Sequence, residues 1–198
     1  MKPLINILIR TSNRPQEFKR CIQSIRDQRY NPLRLIICTD QREADYLMIV
    51  AETYNMDRTV MFVDSTGVPY HWNFYCNNLK DHVTDGWFFY LDDDDYLKDN
   101  TALQRISEQL TDPREAVICQ FMRGNKRKPE VFTGPEDIIR GKIGGGCIFL
   151  HTTQKNIAYW DGKRAADYRF IKAVSEKIPL KFVPTVVTQA GNNGRHGK

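Results

Sequence analysis

Several features that would place the chain in a membrane, secreted or zinc-binding class are missing from its 198 residues. No stretch approaches the roughly 18 uncharged apolar residues of a transmembrane helix, and the first residues lack the apolar segment of a signal peptide. The five cysteines are odd in number and scattered, without a CxxC pair. This pattern argues against a disulfide framework or structural zinc and favours a reducing compartment. We therefore expect a cytoplasmic protein whose cysteines mostly act as small core residues.

Glycine-rich phosphate-binding loops are also missing. Neither a Walker motif nor a GxGxxG follows the first strand-like segment, residues 4–9, which counts against a P-loop NTPase and a dinucleotide-dependent enzyme. With 41% hydrophobic and 27% charged residues, the chain has the composition of a globular protein. We expect one domain spanning residues 1–198.

In the first half, strand-like and helix-like segments alternate. Apolar runs predict strands at residues 4–9, 33–38, 60–63 and 87–91. The first helix is predicted to begin at Ser12-Asn13-Arg14-Pro15, where a capping residue precedes proline. Further apolar residues at helical spacing are Phe18, Cys21, Ile22 and Ile25, then Ala44, Leu47, Met48 and Ala51, and a third helix covers residues 72–82. Such alternation is typical of right-handed βαβ units, so we predict a mostly parallel, doubly wound α/β sheet flanked by helices.

The second half, residues 96–198, is less regular than residues 1–95. Its pattern predicts strands at residues 116–122, 147–150 and 180–187, one helix with Leu103, Ile106 and Leu110, and one whose buried face carries Phe170, Ile171 and Val174. The glycines Gly144–Gly146 permit positive φ and a close approach of the backbone. They could form either a substrate wall or a flexible turn.

Four consecutive aspartates, Asp92–Asp95, follow the apolar run at residues 87–91. In open α/β sheets, ligands bind in the crevice beyond the carboxyl ends of the strands, and these aspartates are predicted to lie there. Carboxylates this close repel one another, so the cluster favours a cation, and oxygen ligands suit Mg²⁺ or Mn²⁺. The alternative is a solvated acidic turn.

Two other charged features are candidates for function. Asp167 lies at helical spacing from the apolar residues Phe170 and Ile171, and a carboxylate on an inward face requires a partner or a function. The run from Arg123 to Lys128 is dense in positive charge and suggests either an anionic partner such as phosphate or lipid head groups, or a solvated loop.

Four stretches resemble the inverting glycosyltransferases of family two, which have the GT-A nucleotide-sugar fold. They are the opening strand and turn at residues 7–15, the strand that ends in Asp40, Asn77 followed by residues 86–95, and Trp160-Asp161-Gly162 followed by Asp167. The third is similar to the DxD strand of the family and the fourth to its acceptor-side segment. The likeness covers nearly the whole chain.

The resemblance implies a role for each matching residue. The nucleotide-sugar-binding residues would be Thr11, Asn13, Arg14, Asp40, Asn77, Asp92 and Asp93, with Thr11 and Asp40 on the base, usually uracil. Asp94 and Asp92 would hold Mn²⁺ or Mg²⁺, and His196 would either complete the metal shell or touch the phosphates. Asp167 would take the proton from the acceptor hydroxyl, and it would act alone because Ala166 stands where an acidic residue is common.

We therefore predict a metal-dependent inverting glycosyltransferase that moves a sugar from a UDP-sugar to a glycan or lipid-linked acceptor in surface polysaccharide synthesis. Nucleic acid is not an expected partner, whereas Arg123, Lys126, Arg127 and Lys128 could contact the inner face of a membrane. One alternative is a nucleotidyltransferase that makes the nucleotide sugar, although the first turn lacks the glycine-rich basic loop expected for a triphosphate. Another is a non-catalytic module that binds polyanions, although the aspartates would repel its ligand.

Overall fold

The protein is represented by a computed structural model, which describes residues 2–40, 46, 48–49, 53, 56–64 and 69–191. The strands are β1 Ile5–Thr11, β2 Leu33–Thr39, β3 Asp57–Phe62, β4 Trp87–Tyr90, β5 Tyr96–Leu97, β6 Ala116–Arg123, β7 Lys126–Lys128, β8 Ile148–His151 and β9 Leu180–Ala190. The main helices are α1 Pro15–Arg26, α2 Trp72–Asp81, α3 Ala102–Ser107 and α4 Ala166–Ser175.

The described strands form one mixed sheet in the order β3-β2-β1-β4-β8-β6-β9-β5, with β7 beside β6. Strands β3, β2, β1 and β4 are parallel, as the alternation of apolar runs and helices predicts. Strand β8 is antiparallel to both β4 and β6, so β6 runs in the same direction as β4. The carboxyl ends of β1, β2, β4 and β6 therefore lie at one edge of the sheet.

The apolar runs form strands because their side chains are buried on both faces of the sheet. The four residues of β4 are 0–4% exposed, and five of the seven side chains of β2 are buried. Five cysteines lie free and buried in the structure, which agrees with their predicted role as small core residues. No helix of the described residues is long and apolar enough to cross a bilayer.

The start of α1 differs from the predicted cap. Pro15 occupies the first turn as expected, but the N-cap residue is Arg14, and no side chain caps the helix. Asn13 has a left-handed backbone with φ of 51°, a conformation that asparagine tolerates better than most residues. The side chain of Arg14 is instead engaged with the aspartate turn. The predicted face of Phe18, Cys21, Ile22 and Ile25 is buried.

Two other predictions are adjusted. Leu110 is buried but lies beyond α3, which ends at Ser107. In the segment 44–51, Tyr46, Met48 and Ile49 are helical, but Met48 is 68% exposed while Tyr46 and Ile49 are buried. The other residues predicted for that helical face, Ala44, Leu47 and Ala51, lie outside the described residues.

Candidate functional site

The candidate site lies at the carboxyl ends of β1 and β4. At this point the strand order reverses direction. From β1, the order continues through β2 and β3 on one side and through β4 on the other. Such switch points are where open α/β sheets bind ligands. The register pairs Leu8 with Tyr90, so Arg10 comes level with Asp92, the first residue of the aspartate turn.

The aspartate turn directs alternate side chains to different surroundings. The side chains of Asp92 and Asp94 are 41% and 23% exposed, whereas that of Asp93 is fully buried. Asp93 accepts hydrogen bonds from the Thr11 hydroxyl at 2.8 Å and from the Ser12 amide at 3.4 Å. Asp93 thus ties the turn to the end of β1, while Asp92 and Asp94 remain open to a ligand.

Two arginines from the end of β1 and the start of α1 balance the negative charge of the turn. The Nε of Arg10 donates to Asp92 at 2.8 Å, and Arg14 pairs with Asp93 and, at 3.0 Å, with Asp94. Burial alone would lower the pKa of both guanidiniums, but the neighbouring carboxylates outweigh it and raise the pKa above its ordinary value. The site therefore keeps both arginines charged.

Burial raises the pKa of two carboxyls of the turn, Asp93 and Asp95. Burial raises the pKa of Asp93 to about 7, although Arg14 and Thr11 favour its ionised form. Burial also raises the pKa of Asp95 above its usual range, helped by the negative charges of Asp92 and Asp94. Asp95 accepts a hydrogen bond from the amide of Gly191 at 2.9 Å, which fixes the end of β9 beside the turn.

The donor set of the turn fits a divalent cation that is shared with a phosphate ligand. Within the described residues, no three His, Cys, Asp or Glu side chains come together as a complete metal site. Mg²⁺ usually takes only one or two protein carboxylates and completes its shell with water and substrate phosphates. Asp92 and Asp94 offer two such carboxylates on the open side of the turn. His196, the third predicted ligand, lies outside the described residues.

The residues predicted to hold the base lie at the ends of β1 and β2. Thr11 and Thr39 are register partners. Asp40 is the residue after Thr39, so it lies at the same edge of the sheet as Thr11. The Asp40 side chain is 7% exposed and its Oδ2 lies 3.9 Å from Nε2 of His71. Burial, and then the Asp40 carboxylate, raise the pKa of Tyr75 to about 12. Asn13 is exposed at the rim of this region.

Asn77, predicted to contact the nucleotide sugar, is engaged elsewhere in this structure. Its side-chain amide donates to the carbonyl of Trp160 and accepts from the amide of Trp160, both at 2.9 Å. One turn earlier on α2, the amide of Asn73 donates to the carbonyls of Asp161 and Lys163, each at 3.0 Å. The two asparagines thus hold the loop of residues 160–163 against α2. We call this set of hydrogen bonds the clamp.

The clamp positions residues 160–163, the segment that is predicted to lie on the acceptor side. Trp160 stacks on Phe170 of α4 with ring centroids 5.2 Å apart and meets Tyr90 edge-on at 4.9 Å. Arg10 donates to the side-chain oxygen of Asn73 at 3.1 Å. The loop, α4 and the end of β1 are therefore held as one unit around the crevice.

Asp167 lies in the first turn of α4 and faces the crevice. Burial raises its pKa, and the negative charge of Asp92 adds to this effect, so the two carboxylates lie within electrostatic range of each other. The described residues offer Asp167 no ion pair, and it accepts a hydrogen bond from the amide of Tyr168 at 2.8 Å. Asp161 differs, because Arg169 binds both its oxygens at 2.6 Å and lowers its pKa. Of the two carboxylates, only Asp167 has a raised pKa and no ion pair within the described residues.

The three glycines form an ordered turn rather than a flexible one. Gly145–Cys147 is a 3-10 segment, and none of the three glycines has positive φ. Space for a Cβ is tight at Gly145 and Gly146, whereas at Gly144 a Cβ would make only an ordinary van der Waals contact. A Cβ on Gly146 would lie 3.1 Å from the Thr188 hydroxyl, and one on Gly144 would lie 3.7 Å from Oδ2 of Asp167.

Arg10 and Asn73 were not predicted from the sequence. Arg10 is a charged residue at the end of a buried strand, and such a charge requires a partner. This rule could have indicated from the sequence that Arg10 pairs with a carboxylate. Asn73 and Asn77 are spaced i and i+4 on α2, so they share a helix face. Their partners lie more than eighty residues further along the chain, and no local pattern indicates them.

The comparison that decides the family is a match of the Glycosyl transferase family 2 profile to residues 6–163, which is more than half of the chain. The chain belongs to glycosyl transferase family 2. No curated protein matches its sequence. The predicted family is therefore confirmed, and the matched region of this family 2 chain contains the whole aspartate turn.

Solved structures similar to this family 2 chain confirm the predicted GT-A-like fold. S. aureus TarS 1–349 has a TM-score of 0.76 at 15% identity, covering 96% of this chain and 60% of that one. The same protein in complex with UDP-GlcNAc has a TM-score of 0.75 at 14% identity over the whole of this chain and 60% of that one.

A further similar structure is the mannosyltransferase PcManGT from Pyrobaculum calidifontis, in complex with GDP-Man and Mn²⁺. Its TM-score is 0.69 at 17% identity, covering 99% of this chain and 59% of that one. The family 2 chain therefore spans about three-fifths of the length of these relatives.

Proposed function

We propose that this chain transfers a sugar from a UDP-sugar to an acceptor hydroxyl, with inversion at the anomeric carbon and with a divalent cation. The observation that carries the proposal is the pairing of two different carboxylate environments in one crevice. Asp92 and Asp94 are partly exposed beside arginines, whereas Asp167 is half-buried without an ion pair within the described residues and has a raised pKa.

Asp92 and Asp94 are the residues that would hold Mn²⁺ or Mg²⁺. A bound divalent cation would stabilise the negative charge that develops on the leaving diphosphate. Arg14 contributes a second positive charge at the same place, since its side chain is about one-third exposed. Arg14 can therefore contact phosphate oxygens. The buried Asp93 meanwhile holds the turn against the end of β1.

Asp167 is the proposed general base. A single displacement with inversion requires a carboxylate that removes the acceptor proton on the face opposite the leaving group. A raised pKa makes the carboxylate a stronger base once it is ionised. A Cβ on Gly144 would lie 3.7 Å from Oδ2 of Asp167, so the absence of a side chain there leaves space beside the carboxyl for the acceptor hydroxyl.

Base recognition is proposed at the end of β2. The Asp40 carboxyl can accept the ring N–H of uracil, whereas cytosine presents no donor at that position. Thr11 is predicted to contact the base, but its hydroxyl donates a hydrogen bond to Asp93. We therefore propose that Thr11 positions the aspartate turn and does not contact the base. Asn13, exposed at the rim, would line the pocket.

Titration calorimetry with a panel of nucleoside diphosphates, with Mn²⁺ or with chelator, tests this proposal. We expect UDP to bind more tightly than CDP or ADP, and only weakly in chelator, because the cation that would link Asp92 and Asp94 to its phosphates is then missing. Asp94→Asn should remove most of the metal-dependent affinity while thermal unfolding stays close to that of the wild type.

Two results would contradict the proposal. Equal UDP affinity in Mn²⁺ and in chelator would exclude the shared-cation arrangement. Tighter binding of CDP or ADP than of UDP would exclude uracil recognition by Asp40. Glu115→Gln serves as a charge-matched control, since Glu115 lies in the loop before β6, at the opposite edge of the sheet.

The proposed acceptor is a glycan or a lipid-linked glycan of the cell surface, and the inner face of a membrane is the proposed location. In a membrane contact, the positive charges of all four residues Arg123, Lys126, Arg127 and Lys128 would attract anionic lipid head groups. Co-sedimentation with phosphatidylglycerol vesicles and with phosphatidylcholine vesicles tests this contact. Substituting any one of the four by glutamine should then weaken binding to the anionic vesicles to a similar extent.

A further inference from the structure

The basic run at residues 123–128 forms a hairpin at the same edge of the sheet as the aspartate turn. Strand β6 runs parallel to β4, so its carboxyl end, Arg123, lies at the edge where β4 ends. The hairpin loop is Gly124-Asn125, and Gly124 has φ of 58°. A charged segment of this kind is thus fixed beside the crevice.

The register of the hairpin divides its positive charges between two faces. The opposite pairs are Phe121 with Lys128, Met122 with Arg127, and Arg123 with Lys126. Opposite residues of an antiparallel pair share a face, and successive residues alternate. Arg123 and Lys126 therefore project on the same face as Phe121, whereas Arg127 projects on the other.

The face of Phe121 is the face that looks towards the proposed base. A Cβ on Gly144 would lie 3.9 Å from the Phe121 ring and 3.7 Å from Oδ2 of Asp167, so Gly144 lies between the two. The guanidinium of Arg123 lies over the Phe121 ring, 5.7 Å from its centroid. Its charge favours the ionised form of Asp167, which agrees with this placement.

The pair of Arg123 and Lys126 has no counter-charge in the described structure. Both side chains are exposed, and the described residues give neither an ion pair. Lys128 differs, because Glu130 lies 3.5 Å from it. Like charges directly opposite each other on two strands are destabilising, and a bound anion would relieve this repulsion.

We propose that Arg123 and Lys126 bind a phosphate group carried by the acceptor and so determine which acceptor hydroxyl reaches Asp167. This inference rests on the proposed transfer reaction. A guanidinium recognises phosphate through paired hydrogen bonds, and the contact of Arg123 with the Phe121 ring orients it at the rim of the crevice. The acceptor is accordingly a phosphate-bearing alcohol or glycan rather than a neutral sugar.

The test is direct binding of two matched probe pairs, glucose 6-phosphate with glucose and glycerol 3-phosphate with glycerol. Binding is measured by NMR titration with UDP and Mn²⁺ present. We expect each phosphate ester to bind at least fivefold more tightly than its neutral partner. Arg123→Gln and Lys126→Gln should remove most of that difference. Arg127→Gln, which removes the same charge from the opposite face, should leave it within twofold.

Several results would overturn the inference. Equal binding of the esters and the neutral compounds would do so, and so would equal losses in Arg123→Gln and Arg127→Gln. Binding to phosphatidylglycerol vesicles that falls equally in all three variants, without ester binding, would assign the hairpin to a membrane surface. Thermal unfolding of each variant confirms that the loss is not one of folding.

The readout also separates this inference from the proposed transfer reaction. UDP binding in Mn²⁺ is measured on the same samples and does not depend on Arg123. UDP binding without preference for the esters overturns the acceptor inference alone. Failure of UDP to bind overturns the proposed reaction, and the inference that rests on it.

Discussion

Replacement of Asn77 by alanine should destabilise the fold markedly, because both ends of the Asn77 amide bond the backbone of Trp160 at 2.9 Å. Each such hydrogen bond contributes about 1 kcal/mol net, and a buried partner left unpaired costs about 1–3 kcal/mol. Trp160 is 5% exposed, so its freed backbone groups have little access to water. We expect a loss of about 2–4 kcal/mol in the free energy of unfolding.

A loss of that size corresponds to a fall of roughly 5–15 °C in Tm, since about 1 kcal/mol shifts Tm by roughly 2–4 °C in a domain of this size. Thermal and urea unfolding followed by circular dichroism measure it. Asn78→Ala is the matched control, because Asn78 is the next residue of α2 and is exposed. Its Tm should stay within about 2 °C of the wild type, since exposed sites rarely change stability by more than about 0.5 kcal/mol.

The same variant separates the clamp from the nucleotide-sugar contact predicted for Asn77. If Asn77 acts as a clamp, Asn77→Ala lowers stability while UDP affinity per folded molecule changes little. Equal unfolding curves for Asn77→Ala and Asn78→Ala would refute the hydrogen-bond argument. A tenfold loss of UDP affinity with unchanged stability would instead establish the contact with the donor.

Three further predictions concern the carboxylates. Asp167→Asn should cut turnover by about 10²–10⁴ with donor affinity nearly unchanged, since a general base contributes about that factor; steady-state kinetics beside UDP titration measure both. Because burial raises the pKa of Asp167, the wild-type rate should fall on acidification at a higher pH than is usual for a carboxylate, and a pH–rate profile of Asp167→Asn should lack that acid limb. Asp93 binds a proton in the folded state up to a pKa of about 7, so its contribution to stability is present at acidic pH and is lost as pH rises through that value; urea unfolding across this range should show a flatter pH dependence in Asp93→Asn.

The parallel half of the sheet could be predicted from the sequence because its signals are local. A strand buried on both faces, such as β4, is a continuous apolar run, and the residue type that follows it marks the end of the strand. The position of Asp92 at the carboxyl edge follows from the same reasoning. Helix α4 with Phe170 and Ile171 inward was predictable from spacing alone.

The remaining features depend on contacts between distant parts of the chain. The sequence places four equal aspartates in a row, but only packing against Thr11 decides that Asp93 is buried while Asp92 and Asp94 are open. The clamp joins Asn77 to Trp160 across 83 residues, and no periodicity encodes such a pair. The register of the β6–β7 hairpin decides on which face of the sheet the Arg123 side chain lies.

The most direct test of the central claim is the anomeric configuration of the first product, observed by proton NMR while wild-type protein hydrolyses a UDP-α-sugar in the presence of Mn²⁺. Water then replaces the acceptor, and a single displacement assisted by Asp167 predicts that the β-anomer appears first and mutarotates afterwards. The account also predicts that this release is lost in chelator and falls by about 10²–10⁴ in Asp167→Asn. Initial release of the α-anomer, or an unchanged rate in Asp167→Asn, would contradict it.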